Sequence, residues 1–458
     1  MMWTPYLTCV ALLAITVNSA LNNFTNLLPV LAPGYDITEL GNIVPSTNVS
    51  LDYGLDTPVD PRSSVNIELQ ANQPAVLLEA IGQVLRVACT GNSVTVTFDS
   101  VDAFKRSISE WPRNGKFYLI TNHLEDCNAG GERGIYQVTS LDWDNDTVTV
   151  TAQTQKSTIA SMTTSMAVTF SHVQNSMQNN SGNITFDEPG INVASNFTLP
   201  TDMEIFSEPP NFVAKANEGY LSDAAIIRGY FDYDVPSSQV QNLWFDIDAA
   251  FFGDLSLTFN LTKPLNNNNY VFSPGIFSPS AINVPSAFSL RPALRWAIGA
   301  DVGAVGAVLH NSNFTITIPD GHAHVDFLNN TLSHAVGWGP RFTTSFNTNE
   351  AATGHVSPYV DFTVELALDV LDGSFNTTGG VAARPQLIND LNVAQTHTRV
   401  RRADRMIWPR NVTCNNGFEL RSDVNFTVTA YVKDSWEKTL YNTEIPVADD
   451  CFPFNQRQ

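Results

Sequence analysis

A chain of 458 residues with 24 Lys and Arg against 45 Asp and Glu carries a formal net charge of -21. Only seven of its residues are Lys, so it lacks the basic surface that phosphate neutralisation needs, which disfavours nucleic acid and anionic lipid as partners. The length predicts two or three domains.

The first twenty residues, MMWTPYLTCVALLAITVNSA, hold no charged side chain and centre on the apolar run VALLAITV. With Val17, Ser19 and Ala20 offering a cleavage site, residues 1–20 read as a secretory signal peptide. No later segment approaches about 18 uninterrupted apolar residues. The C-terminus CFPFNQRQ lacks the hydrophobic tail of a lipid-anchor signal. The mature protein is therefore expected to be secreted, extracellular and without a membrane anchor.

Residues 21–57 are punctuated by Pro29, Pro33 and Pro45 and read as an extended leader. A small α+β domain is expected over 58–172, where SVNIEL, SVTVTF, KFYLIT, GIYQVTSL and TVTVTAQ show strand-like alternation. Between two of these strands, Phe104, Ile108 and Trp111 recur at helical spacing, with Ser100 or Asp102 as cap and Pro112 beyond the end. Residues 173–218, rich in Asn, Ser and Pro, read as a linker or surface excursion. Residues 219–458 form a larger antiparallel, sandwich-like β domain in this reading, so the fold class is mainly β with an α+β N-terminal domain. Within it, ALRWAIGADVGAVGAVL is expected as a long strand pair. Gly299, Gly303 and Gly306 would each cost about 1 kcal/mol in a helix, whereas Leu294, Trp296, Ile298, Ala300 and Val302 line one strand face.

Two segments carry a resemblance. QPAVLLEAIGQVLRVAC…SVTVTFDSVDAFKRSISEWP…FYLITNHLEDCNAGGERGIYQVTSLDWDNDTVTVTA resembles the N-terminal domain of secreted fungal proteins of unknown function. FSPGIFSPS…FSLRPALRWAIGADVGAV and NVTCNNGFEL…DSWEKTLYNTEIPVADDC resemble the β-rich domain that follows it in such proteins. The resemblance implies an exported fungal protein and supplies no catalytic residues. A Cys-rich stretch near the start of that second domain is missing here.

Cys89, Cys127, Cys414 and Cys451 remain after the signal, an even set that suggests two disulfides in an exported chain. Three pairings are possible. Cys89–Cys127 and Cys414–Cys451 would each close a loop of about forty residues and contribute roughly 3–4 kcal/mol. A zinc site would need tighter ligand spacing. Twelve N-x-S/T sequons occur, and strand alternation puts Asn260, Asn313 and Asn425 on polar faces open to N-linked glycans. Arg399, Arg401 and Arg402 fit the R-x-K/R-R pattern of Golgi processing proteases, which would cut after Arg402; the other reading is an uncut exposed loop.

In PDGHAHVDF, a strand would project His322, His324 and Asp326 to one face, a donor set suited to Zn, Cu or Fe. The spacing is similar to the start of a cupin metal motif, but Leu328 and Asn329 stand where its Glu would be. A solvent-facing polar strand side is the simpler reading, so no metal or other cofactor is expected. LDWDNDTV lacks the Gly and Glu of a calcium loop and reads as a hairpin turn. FDYD and FDID supply Asp232, Asp234, Asp246 and Asp248, carboxylates that could serve glycoside hydrolysis or simply solvate a sheet face. No G-x-S-x-G, H-E-x-x-H, C-x-x-C, P-loop or G-x-G-x-x-G occurs. The expected role is a non-catalytic module for cell-wall glycan or a surface protein. A secreted polysaccharide hydrolase and an apolar-ligand-binding β protein are the alternatives.

Overall fold

The computed structural model of the protein describes residues 24–32, 34–54, 65–123, 127, 132–170, 191–277, 281–348, 353–394 and 417–453. The stretch expected as a leader contributes three strands, β1 (Phe24–Asn26), β2 (Leu28–Val30) and β3 (Ser46–Gly54). The α+β unit follows as β4 (Val65–Leu77), β5 (Val84–Cys89), β6 (Ser93–Phe98), helix α1 (Val101–Glu110), β7 (Phe117–Thr121), β8 (Gly134–Asp144), β9 (Thr149–Ser157) and β10 (Thr163–Phe170).

The helix forms where the spacing places it. Ser100 Oγ accepts from the Ala103 N–H at 3.4 Å, satisfying one donor that the first turn leaves open. Phe104 and Trp111 then bury against Phe98 and Phe117 in a core of their own, and Trp111 Nε1 donates to the Ile43 carbonyl at 2.9 Å. Cys89 and Cys127 are joined in that core, with Cα atoms 4.9 Å apart. The DNDT turn between β8 and β9 is a hairpin: the Asp144 carboxylate accepts from the Asp146 and Thr147 N–H groups. Cys414, half of the second expected pair, lies outside the described residues, and Cys451 falls in the last strand. Non-reducing peptide mapping is expected to recover Cys89 with Cys127 and Cys414 with Cys451. A peptide joining Cys89 to Cys414 would overturn this local pairing.

The remaining strands are long. They are β11 (Ile191–Leu199), β12 (Met203–Glu208), β13 (Phe212–Asp234), β14 (Gln239–Leu261), β15 (Leu265–Phe277), β16 (Ala281–Val284), β17 (Phe288–Ala304), β18 (Val308–Asp326), β19 (His334–Val336), β20 (Arg341–Thr348), β21 (Gly354–Val370), β22 (Phe375–Ala394), β23 (Gly417–Val432) and β24 (Trp436–Pro453). A sixteen-stranded sheet runs β19-β18-β14-β13-β10-β4-β7-β8-β9-β6-β5, with β2, β3, β11, β12 and β20 alongside. An eight-stranded sheet runs β1-β16-β17-β21-β22-β23-β24, with β15 on β17. The two pack face to face over a shared core, in which Phe251 of one sheet meets Trp296 and Phe362 of the other at 5.4 and 5.5 Å between ring centroids.

Three expectations are corrected. Residues 191–208, expected as linker, form β11 and β12, both paired to β13. Buried Ile191, Val193, Ser195 and Leu199 alternate with exposed Asn196 and Thr198, so composition hid a period-2 pattern. The leader strands are tied in, β1 to the eight-stranded sheet and β2 and β3 to the larger one. Finally, β17 and β18 are both strands but not a pair: β17 bonds to β21 and β18 to β14. Each has an apolar inner face, including the expected Leu294, Trp296, Ile298, Ala300 and Val302 on β17. The chain therefore crosses from one sheet to the other at residues 305–307 instead of folding back as a hairpin. At Gly299 an added Cβ would fall 2.0 Å from the Tyr359 ring, so only glycine lets that ring lie across the strand. β10 pairs with β4 on one side and β13 on the other, making one sheet of the α+β unit and the β domain.

Candidate functional site

β13, β14, β18 and β19 lie side by side, and their outward face is partly exposed. Period-2 alternation sends Phe231, Tyr233, Phe245, Ile247, Ala323 and Val325 into the core, leaving Arg228, Tyr230, Asp232, Trp244, Asp246, Asp248, His322, His324 and Asp326 on the other side. Register then brings rings together. Tyr230 is opposite Trp244, and His324 is opposite both Asp246 and His334. The ring centroids of Tyr230 and Trp244 are 6.2 Å apart, those of Trp244 and His324 5.6 Å, and those of His324 and His334 5.3 Å. Four rings thus form a continuous row across four strands.

The carboxylates beneath the row hold the imidazoles. His322 Nδ1 donates to Asp248 Oδ1 and His324 Nδ1 to Asp246 Oδ1, both at 2.7 Å, while the Arg228 guanidinium donates to Asp248 Oδ2 at 2.6 Å. His334 Nδ1 donates to the Leu332 carbonyl at 3.0 Å. Each Nδ1 is therefore held by a protein acceptor, and Nε2 is the ring nitrogen left to meet a ligand.

His322, His324 and Asp326 share the face expected for them. The Asp326 carboxylate, however, accepts from the Leu328 and Asn329 N–H groups at 2.9 and 2.7 Å and serves the turn that follows. Among the described residues, no group of three or more His, Cys, Asp or Glu side chains is placed to hold a metal ion. Asp246 and Asp248 are engaged by imidazole and guanidinium, which orients the rings. Tyr230, Trp244 and His334 escaped the sequence reading. The signal was present in GYFDYDV and LWFDIDAAF, where Tyr230 and Trp244 sit in phase with the aspartates and therefore on the polar face.

Asn260 and Asn313 are exposed on the same sheet, whereas Asn425 on β23 is half-buried. Arg399, Arg401 and Arg402 lie outside the described residues. Among the described residues, no helix is long and apolar enough to cross a membrane.

Residues 68–167 match a family model described as a domain of unknown function, DUF7029. The match covers most of the α+β unit and agrees with an uncharacterised domain there. No curated protein and no solved structure matches the chain.

Proposed function

We propose that the protein is an exported, N-glycosylated, non-catalytic module that binds glycan of a cell wall or cell surface through the Tyr230–Trp244–His324–His334 row. The observation that carries this reading is the row itself, four adjoining rings on an open sheet face. The apolar face of a sugar ring stacks on such a surface, and the polar groups around it fix orientation. Carboxylates accept from sugar hydroxyls, and each imidazole Nε2 can meet one more.

The export side of the proposal rests on the signal-like N-terminus, the Cys89–Cys127 bridge and the sequons. Asn313 is nine residues from His322 along β18, about 30 Å at strand rise, so a glycan there would leave the row open.

The test is a glycan array and titration with enzymatically deglycosylated full chain. Binding without product release is expected. Trp244→Ala is expected to weaken it about 30-fold, the roughly 2 kcal/mol of a hot-spot aromatic. Binding indifferent to Trp244→Ala and Tyr230→Ala, or turnover of the polysaccharide, would overturn the proposal.

A further inference from the structure

We infer that a cleft at the far end of the sandwich from the aromatic row is a second ligand site, which takes a neutral sugar through the amides of Asn211, Asn266 and Asn267 and the His355 imidazole. It is separate from the row. Asn211 immediately precedes β13, and Tyr230 lies 19 residues further on, about 60 Å at strand rise.

The cleft has a volume of about 690 Å³, inside the range of about 300–1,000 Å³ usual for small-molecule sites. It opens where the sheets meet, between the β12–β13 turn of one and the start of β15, the end of β17 and the start of β21 of the other. Its walls are tied together. Tyr270 Oη donates to Glu208 Oε2 at 2.6 Å, and the Tyr270 ring packs on Phe212 of the facing sheet at 4.8 Å between centroids. Two local features then aim side chains inward. Leu265 pairs with Ala304 and Asn268 with Val302, so Asn266 and Asn267 together stand opposite the single residue Gly303. This β-bulge brings both amides to the cleft, where regular alternation would bring one. Glycine at 303 supplies the room, because a Cβ there would fall 2.2 Å from Asn267 Oδ1 and 2.8 Å from His355 Cε1. Amide and imidazole therefore converge over bare backbone.

The rest of the Asn run is committed elsewhere. Asn268 Nδ2 donates to Tyr270 Oη at 3.3 Å and Asn269 Nδ2 to Asp301 Oδ1 at 2.6 Å. Among the described residues, the side chains of Asn211, Asn266, Asn267 and His355 make no hydrogen bond. The lining selects the ligand. Among the described residues no Lys or Arg lines the cleft, so a carboxylate or phosphate ligand lacks its usual partner. The lining carboxylate of Glu208 already accepts from Tyr270, which leaves an amine little to pair with. Each amide presents a donor and an acceptor on neighbouring atoms, which matches vicinal hydroxyls that both donate and accept. Pro264, Leu265 and Ala304 add a small apolar wall for the C–H face of a sugar ring.

Calorimetric titration of the deglycosylated full chain with glucose, mannose, galactose and N-acetylglucosamine, and with the charged sugars glucosamine and glucuronate, tests this. At least one neutral sugar is expected to bind with a Kd of about 1 mM, the scale of a few net hydrogen bonds, and more tightly than either charged one. The double variant Asn266→Ala/Asn267→Ala, at two exposed positions, should weaken that binding about tenfold. Binding of none of the neutral sugars, tighter binding of a charged sugar, or binding that the double variant leaves unaltered would overturn the inference. None of these results touches the glycan reading of the row, which Trp244→Ala and Tyr230→Ala decide.

Discussion

Replacement of Arg133 by Met is expected to destabilise the protein by about 3–5 kcal/mol, the cost of leaving one partner of a buried ion pair alone. Arg133 is 7% exposed and stands at the entry to β8. Its Nε donates to Glu79 Oε1 at 2.7 Å, its Nη2 donates to the Val30 and Asp52 carbonyls at 3.0 Å each, and its guanidinium lies 4.5 Å from the centre of the Tyr53 ring. One side chain therefore joins the α+β unit to β2 and β3, the strands of the leader. The double variant Arg133→Met/Glu79→Leu should recover much of the loss, because the uncompensated carboxylate goes with it. Urea unfolding of the full chain would check both. A single variant within about 0.5 kcal/mol of wild type would show that the pair holds nothing together.

Nothing local in the sequence marks Arg133 for this role, and the contrast with α1 shows why. The helix was legible because its cap, its apolar spacing and its terminating Pro112 all lie within about a dozen residues. The partners of Arg133 are 54, 81 and 103 residues away, and only the assembled sheet brings them together. The same division runs through the candidate site. Alternation assigns Tyr230, Trp244 and His324 to a polar face from local residues alone. The Trp244–His324 contact and the arrival of His334 beside His324 depend on the pairing of β14 with β18 and β18 with β19. Register between strands is a tertiary property, so sequence periodicity could place rings on a face but not in a row. β17 and β18 failed for a related reason. Two apolar-faced strands in succession are compatible with a hairpin or with a crossover between sheets, and periodicity does not separate the two.

The protein's stability is expected to be nearly flat between about pH 4 and 6.5 because two buried groups oppose each other, and Asp223→Asn should remove the balance. Asp223 on β13 is 1% exposed in the core between the sheets. Its Oδ1 accepts from the Ser195 N–H at 3.0 Å and from the Ser195 hydroxyl, which in turn accepts from Trp296 Nε1 at 3.0 Å, while its Oδ2 has no partner. Burial pushes its pKa up to about 7, the Ser195 hydrogen bonds working against it. The folded state thus holds a proton that the unfolded chain releases near 3.8. That contribution is complete below about pH 4 and is lost as the pH rises to about 7. The interval is worth about 4 kcal/mol.

His310 on β18 works in the other direction. It is fully buried, with Asn389 Nδ2 donating to its Nε2 at 3.4 Å, and burial lowers its pKa to about 4. The folded state holds it neutral, so its contribution is complete above about pH 6.5 and is lost as the pH falls through about 4, worth about 3 kcal/mol. Between those limits Asp223 loses with rising pH what His310 gains. Asn at position 223 mimics the protonated acid at every pH. The variant should match wild type near pH 4, gain stability up to pH 6.5 as His310 and the likewise lowered His123 dictate, and exceed wild type by up to about 4 kcal/mol at pH 8. Denaturation midpoints measured from pH 4 to 8 for both proteins decide it. Parallel curves would mean that Asp223 is ionised in the folded state and that its unpartnered oxygen is solvated.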